Sequence, residues 1–240
     1  MKIFSFILIS IIIISCTRNN NFNFLSKDTS LASNYKVLNL KNISPDFPLD
    51  SLEMLTSEYG NFKFYSENTL RGEGVIALSI NSEIEILNLD KSYFGSISLN
   101  KEMESYNINL PKVTIAREII PDSEYQIFNF DSEQPNKNKD FLIIYLNKEP
   151  KLIQKNKTQY SFSSWDEYIK KSFIKLTPQV DNRAPEEEYL YKAIKIKEDS
   201  MLIKSVPKSA CDYVEKYKNI TKWIKWKSNN CKLIKFNFCY

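Results

Sequence analysis

The sequence predicts a β-rich α+β fold: an antiparallel sandwich or curled sheet with a few short helices and a C-terminal helix-strand unit. Three observations support this prediction. Short segments that alternate apolar and polar residues recur from Tyr35 onward, polar turn-forming residues separate them, and few stretches show helical spacing. Alternation with a period of two is typical of strands that bury one face, and closely spaced strands favour an antiparallel arrangement.

Eight strands are predicted in the first part of the body. Asn81-Ser82, between the third and the fourth, has the composition of a two-residue hairpin turn. The polar segment 131–140 is predicted to be a solvent-facing loop. The predicted strands are YKVLNL (35–40), NFKFYS (61–66), VIALSI (75–80), EIEILNL (83–89), YFGSISL (93–99), KVTIAREII (112–120), YQIFNF (125–130) and DFLIIYL (140–146).

Two helices are predicted within this strand-rich chain. The first spans 50–60, with Asp50 as its N-cap and Gly60 at its end. The second spans 163–173 and opens with a capping box formed by Ser164 and Glu167. Its apolar residues fall on one face: Trp165, Tyr168, Ile169 and Phe173.

The last part of the chain is predicted to form two strands followed by the helix-strand unit. Residues 185–197 indicate a loop and then a long strand, with 201–206 pairing back against it. A helix is predicted from Ser209 to Lys227, because four apolar or aromatic residues recur there at helical spacing. The segment 231–240 then returns as a strand. The four helical positions are Tyr213, Tyr217, Ile220 and Ile224, and the strand places Ile234, Phe236 and Phe238 on one face.

The N-terminal segment predicts export and lipid attachment. Lys2 precedes a run that is apolar from 3 to 14 except for two serines, which is the length of a signal-peptide core and too short to span a bilayer. The residues Ile13-Ile14-Ser15 before Cys16 resemble the loosened lipobox of bacterial lipoproteins, particularly of the spirochaete type. The resemblance implies that residues 1–15 are removed and that Cys16 is diacylated. The alternatives are an uncleaved anchor and a secreted protein with an incidental Cys16.

Lipidation would make the body a folded domain held at a membrane by its acyl chains, at the outer membrane or the cell surface. Two or more acyl chains anchor stably, whereas one binds reversibly. Residues 16–34 then form an asparagine-rich tether, which as a flexible coil spans roughly 20–25 Å. We predict a β-rich part over 35–155 and an α+β part over 156–240, packed as one domain or as two.

Composition excludes several kinds of active site. The chain contains no histidine, which removes Ser-His and Cys-His nucleophile pairs and nearly all zinc and non-haem iron sites. We therefore expect no catalytic residues, no metal and no cofactor. Glu186, Glu187 and Glu188 form a solvated charge run rather than a calcium loop. A histidine-independent hydrolase is the remaining enzymatic alternative.

Charge is concentrated at the C-terminal end, where residues 201–240 contain nine lysines and two acidic residues, a local charge of +7. Two tryptophans lie among these lysines, a composition typical of a surface for polyanions or for a membrane interface. The alternative is that Trp223 packs into the core and the lysines are simply solvated. The predicted face comprises Lys218, Lys222, Trp223, Lys225, Trp226 and Lys227.

Export makes the three C-terminal cysteines candidates for a disulfide bond. A helix followed by an antiparallel strand returns Cys239 to the level of Cys211 and leaves Cys231 at the far end, so we predict a Cys211–Cys239 bond. A strand over 220–227 would instead favour Cys211–Cys231. Buried free thiols are the third possibility.

Taken together, the sequence predicts a lipid-anchored envelope lipoprotein that acts as a non-enzymatic binding or interaction module. The expected partners are a polyanionic glycan, an anionic lipid or an envelope protein, besides the membrane reached through the anchor. Nucleic acid is not expected outside the cytoplasm. The alternative is a structural or assembly lipoprotein that faces the periplasm and has protein partners only.

Overall fold

Strands dominate the computed structural model, which describes residues 52–181, 189–207 and 218–237. This confirms the predicted β-rich antiparallel fold. All described residues belong to one compact unit. In these three ranges no helix is both long and apolar enough to cross a membrane. The predicted signal peptide, Cys16, the tether and the predicted strand 35–40 lie outside the described residues.

Twelve strands form the first part of the described chain, and most are four to six residues long. They are β1 (Met54–Tyr59), β2 (Phe62–Ser66), β3 (Gly74–Ser79), β4 (Ile84–Leu87), β5 (Tyr93–Asn100), β6 (Ser105–Asn109), β7 (Val113–Ala116), β8 (Glu118–Ile120), β9 (Ile127–Ser132), β10 (Phe141–Leu146), β11 (Glu149–Gln154) and β12 (Gln159–Ser164).

These strands form two sheets. The larger has nine strands in the order β12-β3-β9-β10-β11-β4-β5-β6, with β8 paired to β9, and its pairings are antiparallel. The smaller has the order β1-β2-β7 and includes the parallel pair β2–β7. Aromatic and branched residues of both sheets share one core, which includes Phe64, Ile86 and Phe130.

Two sequence predictions in this part are wrong. Residues 54–59 of the predicted helix 50–60 form β1, which pairs with β2 through a turn at Gly60, where φ is +61°. A short helix is only marginally stable by itself, so pairing with β2 prevails. Asn81-Ser82 does not close a hairpin, because β3 pairs with β9 and β12 whereas β4 pairs with β5 and β11.

The prediction of a solvent-facing loop at 131–140 fails at its first residues. β9 continues through Ser132, and Asp131 is 1% exposed. A short 3-10 helix follows at Pro135–Lys137. Strands β6, β11 and β12 were not predicted from the sequence, and β12 places chain beyond residue 155 in the nine-stranded sheet.

The second part begins with the helix α1 (Trp165–Lys171), whose capping box of Ser164 and Glu167 is as predicted. The strands that follow form a five-stranded antiparallel sheet, β16-β15-β14-β13-β19, and a separate two-stranded pair, β17–β18. They are β13 (Phe173–Leu176), β14 (Tyr191–Lys197), β15 (Ser200–Ser205), β16 (Thr221–Lys225), β17 (Lys227–Ser228), β18 (Cys231–Lys232) and β19 (Ile234–Asn237).

The predicted helix 209–227 is wrong over its second half. Residues 221–225 form β16, which pairs with β15 along its whole length, while 208–217 lie outside the described residues. Ile224 was read as part of a helical face, but it is buried as an alternating strand residue. The β-branched residues Thr221 and Ile224 and the aromatic Trp223 are residue types that favour strands. The predicted pairing of β14 with β15 is confirmed.

A second core lies between α1 and the inner face of the five-stranded sheet. Its fully buried members include Ile169 from α1 and Ile174, Met201 and Ile203 from the sheet. Trp165 packs against the same cluster, as the helical spacing predicted. The five-stranded sheet therefore buries its inner face against α1, and its outer face lies on the opposite side.

Candidate functional site

The outer face of strands β14, β15 and β16 presents an exposed apolar centre. In the strand register Leu202 lies beside Trp223 on one side and beside Lys195 on the other. Trp223 is 50% exposed and Ile194 is 49% exposed. Ile194 is the extra residue of a bulge between Ala193 and Lys195, so it joins Lys195 on the outer face.

Four lysines surround this centre. Lys195, Lys197, Lys204 and Lys225 are all exposed on the same three strands. In the described part of the chain none of the four makes an ion pair. Within β14–β16 and the turn joining β14 to β15, the acidic residues are Glu198 and Asp199, both at the tip of that turn. Among the described residues of these strands the face is therefore positive, with no carboxylates between its lysines.

β14 has one further lysine, Lys192, which is committed to other contacts. Its Nζ donates to the Lys171 carbonyl oxygen at 2.6 Å and stands 3.8 Å from the centre of the Phe173 ring. Partial burial lowers the pKa of Lys192. We therefore exclude Lys192 from the outer basic face, the name used here for Ile194, Lys195, Lys197, Leu202, Lys204, Trp223 and Lys225.

The structure divides the sequence-predicted face between two sides of the sheet. Trp223 and Lys225 point outward, but Lys222 and Trp226 point inward. Trp226 is 3% exposed, and its Nε1 donates to the Glu198 carbonyl oxygen at 3.0 Å. Lys222 pairs with Asp181 at 2.5 Å. Trp226 belongs to the second core and Lys222 is partly buried, because alternation in a strand sends successive side chains to opposite faces.

The two remaining lysines of the predicted face lie at its margins. Lys227 contacts Asp199 at 3.7 Å and lies 5.2 Å from the Trp226 ring centre. Lys218 is exposed just before β16, and its carbonyl oxygen accepts a hydrogen bond from Ser205 Oγ at 2.8 Å. Neither residue belongs to the outer basic face.

Sequence reasoning missed the β14 and β15 contribution to this surface. The alternation of lysines in KAIKIK (192–197) was visible, and its pairing with 201–206 was predicted. The helical interpretation of 220–227 hid the third strand, so Trp223 could not be placed beside Leu202. If 220–227 had been interpreted as a strand, its pairing with 201–206 would have placed the exposed residues of all three strands on one face.

A second polar cluster lies in the interior, around Arg117. Its guanidinium forms a two-point ion pair with Asp131, with Nε–Oδ1 at 2.7 Å and Nη2–Oδ2 at 2.9 Å. It also donates to the carbonyl oxygens of Glu67 and Thr69 and lies 5.0 Å from the Trp165 ring centre. This cluster fastens the segment between β2 and β3 to β9 and α1, a structural role.

Close to Arg117, Lys232 Nζ donates to Ser66 Oγ at 3.1 Å. Burial lowers the pKa of Lys232 to about 7. Ser66 lines a cavity of about 280 Å³, together with Arg117, Tyr168 and Phe236. Ser66 Oγ in turn donates to the Arg117 carbonyl oxygen at 3.4 Å. A hydroxyl beside an amine of lowered pKa is the residue pair of a serine-lysine hydrolase, so this pair is a second candidate site.

The remaining predicted site residues lie outside the described ranges: Cys16, Cys211 and Cys239, as do Glu186, Glu187 and Glu188. Cys231 is buried and is engaged in a disulfide bond. Its Sγ lies 4.0 Å from Thr69 Oγ1. Among the described residues no group of three or more cysteine or acidic side chains could hold a metal ion.

Comparison with known proteins gives no relative. No family model, no curated protein and no solved structure matches this chain. The functional conclusion therefore depends on the residues of this chain alone.

Proposed function

We propose that the protein is a lipid-anchored envelope lipoprotein that acts as a non-enzymatic binding module through its outer basic face. One observation supports the binding role most strongly: four exposed lysines, which have no ion-pair partner among the described residues, surround a half-exposed tryptophan. Exposed positive side chains that lack carboxylate neighbours attract anionic partners. The N-terminal residues Ile13-Ile14-Ser15-Cys16 support the lipid anchor through their resemblance to a lipobox.

The arrangement of the face suits an extended anionic partner. Its three strands place positive charge on both sides of the Trp223–Leu202–Lys195 row, and neighbouring strands lie about 5 Å apart. An open sheet face of this kind binds by contact area and charge rather than by enclosing a small molecule. A polyanion or an anionic surface therefore fits it better than a metabolite.

Heparin affinity chromatography, with heparin as a generic polyanion, tests this binding role. The full acylated chain in detergent should bind at low salt and elute as salt rises, because screening and counterion competition weaken the attraction. The variant K195Q/K204Q/K225Q should elute at clearly lower salt. The control K101Q/K139Q changes exposed lysines elsewhere and should elute close to the native protein. Equal elution of both variants would contradict the proposal.

Protease treatment of intact cells separates surface display from a periplasm-facing role. A body on the cell surface should be cleaved at once, whereas a periplasmic structural or assembly lipoprotein should be cleaved only after the outer membrane is opened. The second outcome would favour the alternative with protein partners only.

A second candidate function, a histidine-independent hydrolase, is favoured by the Ser66–Lys232 contact beside the cavity. In that function the Lys232 amine takes the Ser66 proton as Oγ attacks an acyl carbon, and returns it to the leaving group. Water then cleaves the acyl-serine. A fluorophosphonate probe should label native protein and not the S66A variant. Absence of labelling in the native protein would exclude this candidate.

A further inference from the structure

We infer that the outer basic face docks on an anionic phospholipid leaflet. The inference rests on the proposed function, in which acyl chains on Cys16 hold the body beside a bilayer. It deepens that function by choosing the partner of the face. A sulfated glycan is the competing partner, and the test below separates the two.

The apolar centre of the face favours a lipid partner. Trp223, Ile194 and Leu202 lie together in the middle of the surface, and the first two are half exposed. An indole ring is most favourably placed at the boundary between acyl chains and headgroups, where its apolar body and polar N–H are both accommodated. A highly hydrated glycan offers no such apolar environment for this centre.

The kind of positive charge favours the same partner. All four charged residues of the face are lysines, and no arginine lies in β14, β15 or β16. Arginine pairs with one carboxylate or phosphate group at a time through two parallel hydrogen bonds, whereas lysine acts as a point charge that needs no single fixed partner. Point charges on flexible stems suit a fluid layer of anionic headgroups, because the stems can lie along apolar surface while the amines reach outward.

The register of the strands places the apolar centre and the lysines on the same side of the sheet. Trp223 lies beside Leu202, and Lys225 lies beside Ser200 in the same pair of strands. Lys204 faces Thr221 one row away. The lysines thus frame the apolar centre on the same side of the sheet, so the ring can enter the interface while the amines contact headgroups.

The experiment uses the full acylated protein reconstituted in vesicles. The fluorescence of the W223F variant is subtracted from that of the native protein, which leaves the signal of Trp223. In vesicles of phosphatidylcholine mixed equally with phosphatidylglycerol, we expect the Trp223 emission to shift to shorter wavelength and to resist quenching by iodide. In phosphatidylcholine alone, both effects should be absent. Each lysine near an anionic surface contributes about a fivefold gain in binding, so K195Q/K204Q/K225Q should abolish the protection, while K101Q/K139Q should retain it.

Three outcomes overturn the inference. Trp223 that stays open to iodide in anionic vesicles would show that the face does not dock on lipid. Equal protection in neutral and anionic vesicles would show that the lysines play no part. Protection by soluble heparin but not by phosphatidylglycerol would assign the face to a glycan. In that last case the heparin chromatography would still support the proposed function, so the two failures are distinguishable.

Discussion

Trp223 and Trp226 lie three residues apart in the chain but on opposite sides of the five-stranded sheet, one 50% exposed and the other 3% exposed. Trp226 packs with Ile224 and Ile234 in the second core and donates a hydrogen bond to Glu198. Trp223 extends outward beside Leu202. The two rings therefore have different roles, although the sequence places both in one lysine-rich segment.

This difference predicts losses of stability of very different size. W226A should lower the free energy of unfolding by about 3–5 kcal/mol, because it leaves a large cavity and removes a buried hydrogen bond. W223A should lower it by less than about 1 kcal/mol, because the ring is already half in water. Urea unfolding followed by far-UV circular dichroism measures both. Similar losses for the two variants would contradict the strand assignment of 221–225.

Features of this part of the fold could be predicted from the sequence where they depend on residues close together in the chain. The capping box of Ser164 and Glu167 and the antiparallel return of 201–206 are formed by neighbours in the chain, and both were predicted. The strand at Thr221–Lys225 depends on pairing with β15, which a long connection separates from it in the chain. The helical spacing of apolar residues over 213–224 hid this pairing. The loop prediction at Asp131 was wrong for a similar reason, because its ion-pair partner Arg117 lies in a distant part of the sequence, between β7 and β8.

The buried pair of Arg117 and Asp131 predicts a large loss on breaking one side. D131N should lower the free energy of unfolding by about 3–5 kcal/mol, because the Arg117 guanidinium would stay buried without a countercharge. Its exposed fraction is near zero in the native protein. Thermal or urea unfolding measures this loss. The control D140N changes an exposed acid and should have little effect. A D131N variant with the same free energy of unfolding as the native protein would contradict this prediction and indicate that water reaches Arg117.

The lowered pKa of Lys232 predicts a pH-dependent stability. In the folded protein this pKa is about 7, below the ordinary value near 10.4, so between these pH values the unfolded chain binds more protons. At neutral pH the buried Lys232 amine therefore destabilises the folded protein. As the pH rises from 7 to 9 this cost falls, so the free energy of unfolding of the native protein should rise relative to that of K232M. The limiting slope is about 1.4 kcal/mol per pH unit for one group.

Parallel urea titrations of the native protein and K232M across this pH range isolate the effect, because all other groups titrate in both proteins. K225M, in which the changed lysine is exposed, is the matched control and should follow the native protein. A stability difference between native and K232M that stays constant with pH would contradict the burial of this amine.

The strand at Thr221–Lys225 also changes the expected disulfide. Cys211–Cys239 was predicted from a helix over 209–227, and a strand over 220–227 favours Cys211–Cys231 instead. Cys231 is disulfide-bonded, and we expect its partner to be Cys211. Peptide mapping under non-reducing conditions identifies the linked pair. A Cys211–Cys239 peptide would contradict this revised prediction.

The most direct test of the account is mass spectrometry of the N-terminal peptide from protein isolated from its native membrane, because a membrane-tethered body is the premise of the proposed function. We expect that peptide to begin at Cys16 and to carry a diacylglyceryl group on its sulfur, with residues 1–15 absent. An N-terminal peptide with an unmodified Cys16 thiol, or one that retains Met1, would contradict the lipid anchor.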